Sequence, residues 1–162
     1  MKHSDPLFEP VYTVDDYYDG PKSGVANYGG QPHFYRSLAL DTEEWNPDDD
    51  LFELSPISSE VRDLAVEDFR LCQRWQRSAI AGSIPTLLDS TARVLPEDLP
   101  RHQAIIEILK PHLYINPLQR ILVRGQFSQE SEQTSNPALL ARFLSSGAPY
   151  NDPVKGGRRD KL

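Results

Sequence analysis

The alternation of apolar and polar positions predicts β structure from Val11 to Ile57. Val11-Tyr12-Thr13-Val14 is β-branched and aromatic and runs into the turn Tyr18-Asp19-Gly20-Pro21. Asp-Gly followed by Pro favours a turn, because Gly accepts positive φ and Pro fixes the next φ. A second strand spans about Ser23 to Tyr28 and ends at Gly29-Gly30, a pair suited to a tight hairpin. From His33 to Leu40 the pattern has period two: Phe34, Leu38 and Leu40 share a face with Arg36, and His33, Tyr35 and Ser37 take the other. That arrangement suits a sheet with one buried side. Leu51 to Leu54 predicts a fourth strand, and connections this short make the set an antiparallel meander.

After Pro56-Ile57 the period changes. Val61, Leu64, Ala65, Phe69, Cys72, Ala79 and Ile80 follow helical spacing, with Trp75 on the edge of the stripe. Ser58 or Ser59 is the expected N-cap, Ile57 a hydrophobic staple, Gly82 the residue past the helix end and Pro85 a stop. A second helix is expected from Pro100, carrying Ile105, Ile106 and Leu109 up to Lys110-Pro111. Ile121 to Phe127 returns to period two and predicts a fifth strand rejoining the sheet. Residues 128 to 135 are polar without period and read as a linker. Asn136-Pro137, Ala138 to Leu144 and Gly147 carry the start and stop residues of a short helix, followed by a tail expected to be disordered.

The expected fold class is α+β: a four-stranded antiparallel meander plus a returning fifth strand, bent or closed as an SH3-like small barrel, with two inserted helices. An open sheet with both helices packed on one face is the competing arrangement. The domain is expected over 8–127, leaving 128–162 as linker, short helix and tail.

Composition narrows the function classes. The 162 residues carry a net charge of −7 with a sequence pI near 5.0, which disfavours a phosphate-tracking protein and points to cationic partners. One cysteine, Cys72, excludes an internal disulfide. The first residues lack an apolar signal region, and no run is long enough for a membrane helix, so a cytoplasmic protein is expected.

Candidate chemistry is sparse. Residues 41–50 hold six acidic side chains, including Asp48, Asp49 and Asp50, but Trp45-Asn46-Pro47 in the middle breaks any calcium-loop pattern. His3, His33, His102 and His112 lack zinc-helix spacing, so neither a metal nor a cofactor is expected. Cys72 falls on the apolar helical stripe and reads as a buried structural thiol. Arg70, Arg74 and Arg77 form a basic stripe that ordinary surface pairing, beginning with Glu67, explains more simply than phosphate contact. The richest constellation is aromatic and acidic: Tyr12, Tyr17, Tyr18, Tyr28, His33, Tyr35 and Trp45 beside Asp15, Asp16, Asp19 and the acidic loop. Tyrosine and tryptophan flanked by acids form the kind of groove that binds proline-rich or basic peptides.

The run Tyr18-Asp19-Gly20-Pro21-x-Ser23-Gly24-x-Ala26-x-Tyr28-x-Gly30-x-Pro32-His33, followed by Phe52-x-Leu54-x-Pro56, resembles a group of small bacterial proteins with a Tyr-Asp-Gly-Pro turn. The later Arg74-Trp75 and Arg124-Gly125 fit the same group, and the resemblance covers roughly residues 11 to 127. It implies no activity, cofactor or catalytic residue.

The expectation is therefore a non-catalytic interaction module, of immunity or regulatory type, holding a basic protein partner. Its binding residues would be Tyr18, Asp19, His33, Tyr35, Trp45, Asp48, Asp49 and Asp50. An enzyme with His33 and Asp15, Asp16 or Asp19 as acid–base groups is the alternative. It requires a cavity of a few hundred Å³ on which His33 and a carboxylate converge. A nucleic-acid-binding small barrel using the arginine stripe is a third, weaker option.

Overall fold

A computed structural model describes residues 6–17, 20–41, 50–82, 93–129 and 138–145. Among them the fold is α+β, with a seven-stranded antiparallel sheet and two α-helices. The strands are β1 (Glu9–Pro10), β2 (Asp16–Tyr17), β3 (Pro21–Tyr28), β4 (Gln31–Ser37), β5 (Leu51–Pro56), β6 (Ile121–Gln129) and β7 (Leu139–Ser145). They lie in the order β1-β7-β6-β5-β4-β3-β2. The helices are α1 (Ser59–Ile80) and α2 (Leu99–Leu109).

The β3–β4 hairpin turns at Gly29 and Gly30, both at positive φ as Gly permits. The Glu9 carboxylate accepts from both of their amides, at 2.9 and 2.6 Å, and so satisfies two donors that the turn leaves outside the ladder.

The stretch Val11 to Val14 departs from the expected strand. The Val11 amide donates to the carbonyl of Leu139, the first residue of β7, while Val11 also bridges Ala26 in β3. The next two amides, of Tyr12 and Thr13, share the Val25 carbonyl, two residues opposing one as at a β-bulge. This stretch spans the gap between β7 and β3. The sheet is bent that far but does not close into a barrel, because no ladder joins those two strands.

Both sides of the sheet are buried, where the sequence pattern predicts one. Within the bend, Tyr35, Phe52, Leu54, Val123, Ala141 and Phe143 form the first core. Phe127 joins it, and rings at centroid separations of 5.5 to 6.2 Å meet mostly edge to face, each such pair contributing about 0.5–1.5 kcal/mol beyond simple burial. On the other side, Val25 packs with Val61, Ala65, Ile105 and Leu109 under the helices. Adjacent residues Val25 and Ala26 thus serve different cores, as the alternation of a strand requires.

Residues 139–145 correct the expected short helix. Ala141 and Phe143 are buried while Leu140, Arg142 and Leu144 are only partly buried, a period of two, and all seven residues pair with β6. Burial of the alternate positions against an existing strand edge outweighs the local helix start and stop residues. The sheet therefore runs past residue 127, the expected domain boundary.

The first helix starts at Ser58, whose hydroxyl accepts from the Val61 amide at 3.2 Å. Its buried residues are Val61, Ala65 and Trp75, so Trp75 lies inside the contact and not at its edge. Ile80, expected on the stripe, is 87% exposed. The two helices are also linked by charge. Arg101 makes a two-pronged contact to Glu67 at 2.8 and 2.7 Å, which lowers the Glu67 carboxyl pKa, and His102 Nδ1 donates to Asp68 at 2.6 Å. Arg74 reaches Glu97 and Asp98 just before α2, at 3.7 and 3.3 Å. Pairing thus explains one member of the arginine stripe, through these acids and not through Glu67.

Candidate functional site

A cavity of about 230 Å³ opens between α1, the C-terminal end of α2 and the stretch before β2. Its walls include Val14, Ala65, Phe69, Trp75, Leu109 and Leu113, and its polar lining includes Asp15, Asp68, Cys72 and Arg93. Helical spacing delivers Asp68 and Cys72 to one face, four residues apart, and Trp75 and Gln76 extend that face.

Asp15 is set by backbone. Its amide donates to the Ser23 carbonyl at 2.8 Å, fixing it where the chain enters β2. Two residues earlier, Thr13 is anchored from both sides. Its hydroxyl accepts from the Val25 amide at 2.9 Å, and its carbonyl accepts from the Tyr35 hydroxyl at 2.9 Å. Gly24 allows this approach: a Cβ there would lie 2.1 Å from the Thr13 carbonyl oxygen, and the φ of +152° also suits Gly.

Asp15 is exposed as a residue, yet its carboxyl is held back from water where it lines the cavity. Burial, then the charges of Asp16 and Asp68, push its pKa from 3.8 up to about 6. Among the described residues it forms no ion pair. Asp16 accepts from the Ser23 hydroxyl at 2.8 Å, and Asp68 is held by His102. Beside these acids, Tyr17 is 73% exposed at the sheet's edge. Asp15 lines the cavity, and Asp16 and Tyr17 follow it along the edge strand β2, so an acidic and aromatic rim runs on from it.

Cys72 is half-buried and lines this cavity, instead of lying sealed in the core. Burial, then Asp68 and Asp15, raise its pKa, and Arg93 opposes them only in part. It is a thiol at neutral pH, poorly suited to nucleophilic attack. Arg93 itself has a φ of +51°, an uncommon backbone conformation for a residue with a side chain.

Of the residues expected to bind, His33, Tyr35 and Asp50 lie among the described ones. Tyr35 is 0% exposed at the centre of the first core, and burial, then Asp15 and Asp16, hold its phenol well above the usual range. His33 is 6% exposed; its Nδ1 donates to the Gln31 carbonyl at 2.8 Å, and Tyr28 meets its ring edge-on at 5.4 Å. Asp50 is exposed and paired with Arg124 at 2.6 Å. Tyr18, Asp19, Trp45, Asp48 and Asp49 lie outside the described residues. The structure instead brings Asp15 together with Asp68, Cys72 and Arg93, which sequence reasoning had not joined. The i, i+4 spacing of Asp68 and Cys72 was the available signal; their distance in sequence from Asp15 hid the rest.

Compared with protein-family models, curated proteins and solved structures, the chain matches none. Among the described residues no helix is long and apolar enough to cross a membrane, and no cluster of three or more His, Cys, Asp or Glu side chains could hold a metal.

Proposed function

We propose that this chain is a non-catalytic interaction module, of the bacterial immunity or regulatory type, that binds a basic protein partner in the cytoplasm. Its working surface is the rim Asp15–Tyr17 with the cavity beside it. One observation carries the reading: Asp15 and Asp68 line one cavity with Asp16 next in sequence, so their carboxylates repel, and Asp15 has no ion pair among the described residues. A cationic group brought by a partner would relieve that repulsion and add charge-assisted contacts. The net charge of −7 would steer such a partner in.

Capture from the native host at low and moderate salt tests this, with Asp15→Asn as control. The expected result is a basic partner held more weakly at higher salt and lost by the variant. Recovery of no partner at either salt, or equal recovery by the variant, would sink the proposal.

A second reading, acid–base catalysis, draws on the same carboxyl, since a pKa of about 6 suits proton transfer near neutral pH. Asp15 and Asp68 would then be the working pair. His33 gains no support as a partner, because it does not line this cavity. The cavity of about 230 Å³ is also smaller than the roughly 300–1,000 Å³ of sites that enclose a drug-sized ligand. Turnover on a hydrolase substrate panel that disappears in Asp15→Asn would favour this reading over the first.

A further inference from the structure

Resting on the interaction reading, we propose that the cavity receives one lysine or arginine side chain of the partner, its stem on the apolar walls and its charged head at Asp15 and Asp68. Three features of the cavity carry this. Its volume of about 230 Å³ is on the scale of a single long side chain, below that of sites built for drug-sized ligands. Its walls are apolar, with Ala65, Trp75 and Leu109 buried, which suits the methylene stem that lysine and arginine carry beneath their charge. Its polar lining contains two carboxylates and one guanidinium, Arg93, so the cavity has a net negative charge while Asp16 adds a further acid nearby.

The proposal predicts a definite role for each charge. Asp15 and Asp68 attract the guest, and Arg93 opposes it. Because a bound cation favours the ionised carboxylate, affinity should rise between pH 5 and 7 as Asp15 loses its proton. Among the described residues, the other charged or titratable groups that interact with Asp15 or share its cavity are Asp16, Tyr35, Asp68, Cys72 and Arg93, with His102 joined to Asp68. Loss of the pH profile in Asp15→Asn separates Asp15 from all of them.

The test is an NMR titration of the full chain with three capped tripeptides, acetyl-Gly-Lys-Gly-amide and its arginine and norleucine counterparts, and with free n-butylamine. The lysine or arginine peptide should shift signals of Trp75, Leu109 and Leu113, and bind about tenfold more tightly than norleucine. Asp15→Asn should weaken that binding about tenfold and flatten its pH dependence, while Arg93→Gln should leave it unchanged or tighten it. Butylamine, which is the lysine side chain alone, should shift the same signals; peptide binding with no butylamine shifts at the cavity would place the contacts on the peptide backbone and overturn the side chain as occupant. Equal binding of norleucine, absence of shifts at the cavity, or weakening by Arg93→Gln to the extent of Asp15→Asn would also overturn it. If the host partner is captured through Asp15 while the cavity signals stay still, the anchor fails and the interaction reading stands. Peptide binding without any captured partner gives the reverse.

Discussion

Asp15 holds its proton more tightly when folded than its free carboxyl would, with the pKa raised from 3.8 to about 6. Its contribution to stability is therefore complete below about pH 3.8 and is lost as the pH rises through about 6. Asp15→Asn should accordingly melt at a higher temperature than the parent at pH 7, with the difference vanishing near pH 4. Thermal melts at the two pH values check this, and an equal difference at both would show that the carboxyl is not strained. A residue that destabilises its own fold while facing a cavity is the pattern expected of a binding group. Tyr35 is the opposite case, a polar tip serving the core. Tyr35→Phe removes the bond to the Thr13 carbonyl and should cost about 1–3 kcal/mol. Tyr35→Ala also empties the centre of the aromatic cluster and should cost about 3–5 kcal/mol in denaturant unfolding. If Tyr35→Ala were as stable as the parent, the interior placement would be wrong.

At the scale of elements, α1 was the most legible part of the chain. Ser58, the helical spacing and Gly82 marked both ends, because caps and turns are local chemistry. Ser58→Ala should cost about 1 kcal/mol through the lost bond to the Val61 amide, measured by chemical denaturation. The reading failed where a local signal competed with a distant partner. Residues 139–145 carry helix punctuation, yet the free edge of β6 pairs with all seven of them and recruits Ala141 and Phe143 to the core. Val11 to Val14 has strand composition, yet the chain there must leave β7 for β3, which no continuous ladder permits.

At the scale of the molecule, β7 joins the meander to the N-terminal stretch. It pairs with β6 on one side and β1 on the other, and it supplies Phe143 to the core around Tyr35, Phe52 and Phe127. A chain ending at Gln129 loses all of this and should show no cooperative thermal transition by circular dichroism. A normal melt from that truncation would show that β7 is dispensable to the cooperative fold. The same long-range arrangement makes the site: α1, α2 and the bulged stretch are joined through Val25, Ala65, Ile105 and Leu109, and the cavity is the space left beside them.

The sequence by itself determined the local facts of this protein. It specified an acidic α+β chain, the hairpin at Gly29-Gly30, both helices and four of the seven strands of the sheet, because period, capping and turn chemistry act over a few residues. Only the tertiary structure decided which aromatic residues are core, which strand closes the edge beyond residue 127, and which acids meet. Tyr35 and His33 look like surface in an alternating strand because period two does not say how many faces a sheet will cover. Asp15 and Asp68 are 53 residues apart in sequence and share one cavity because two cores fold the chain between them.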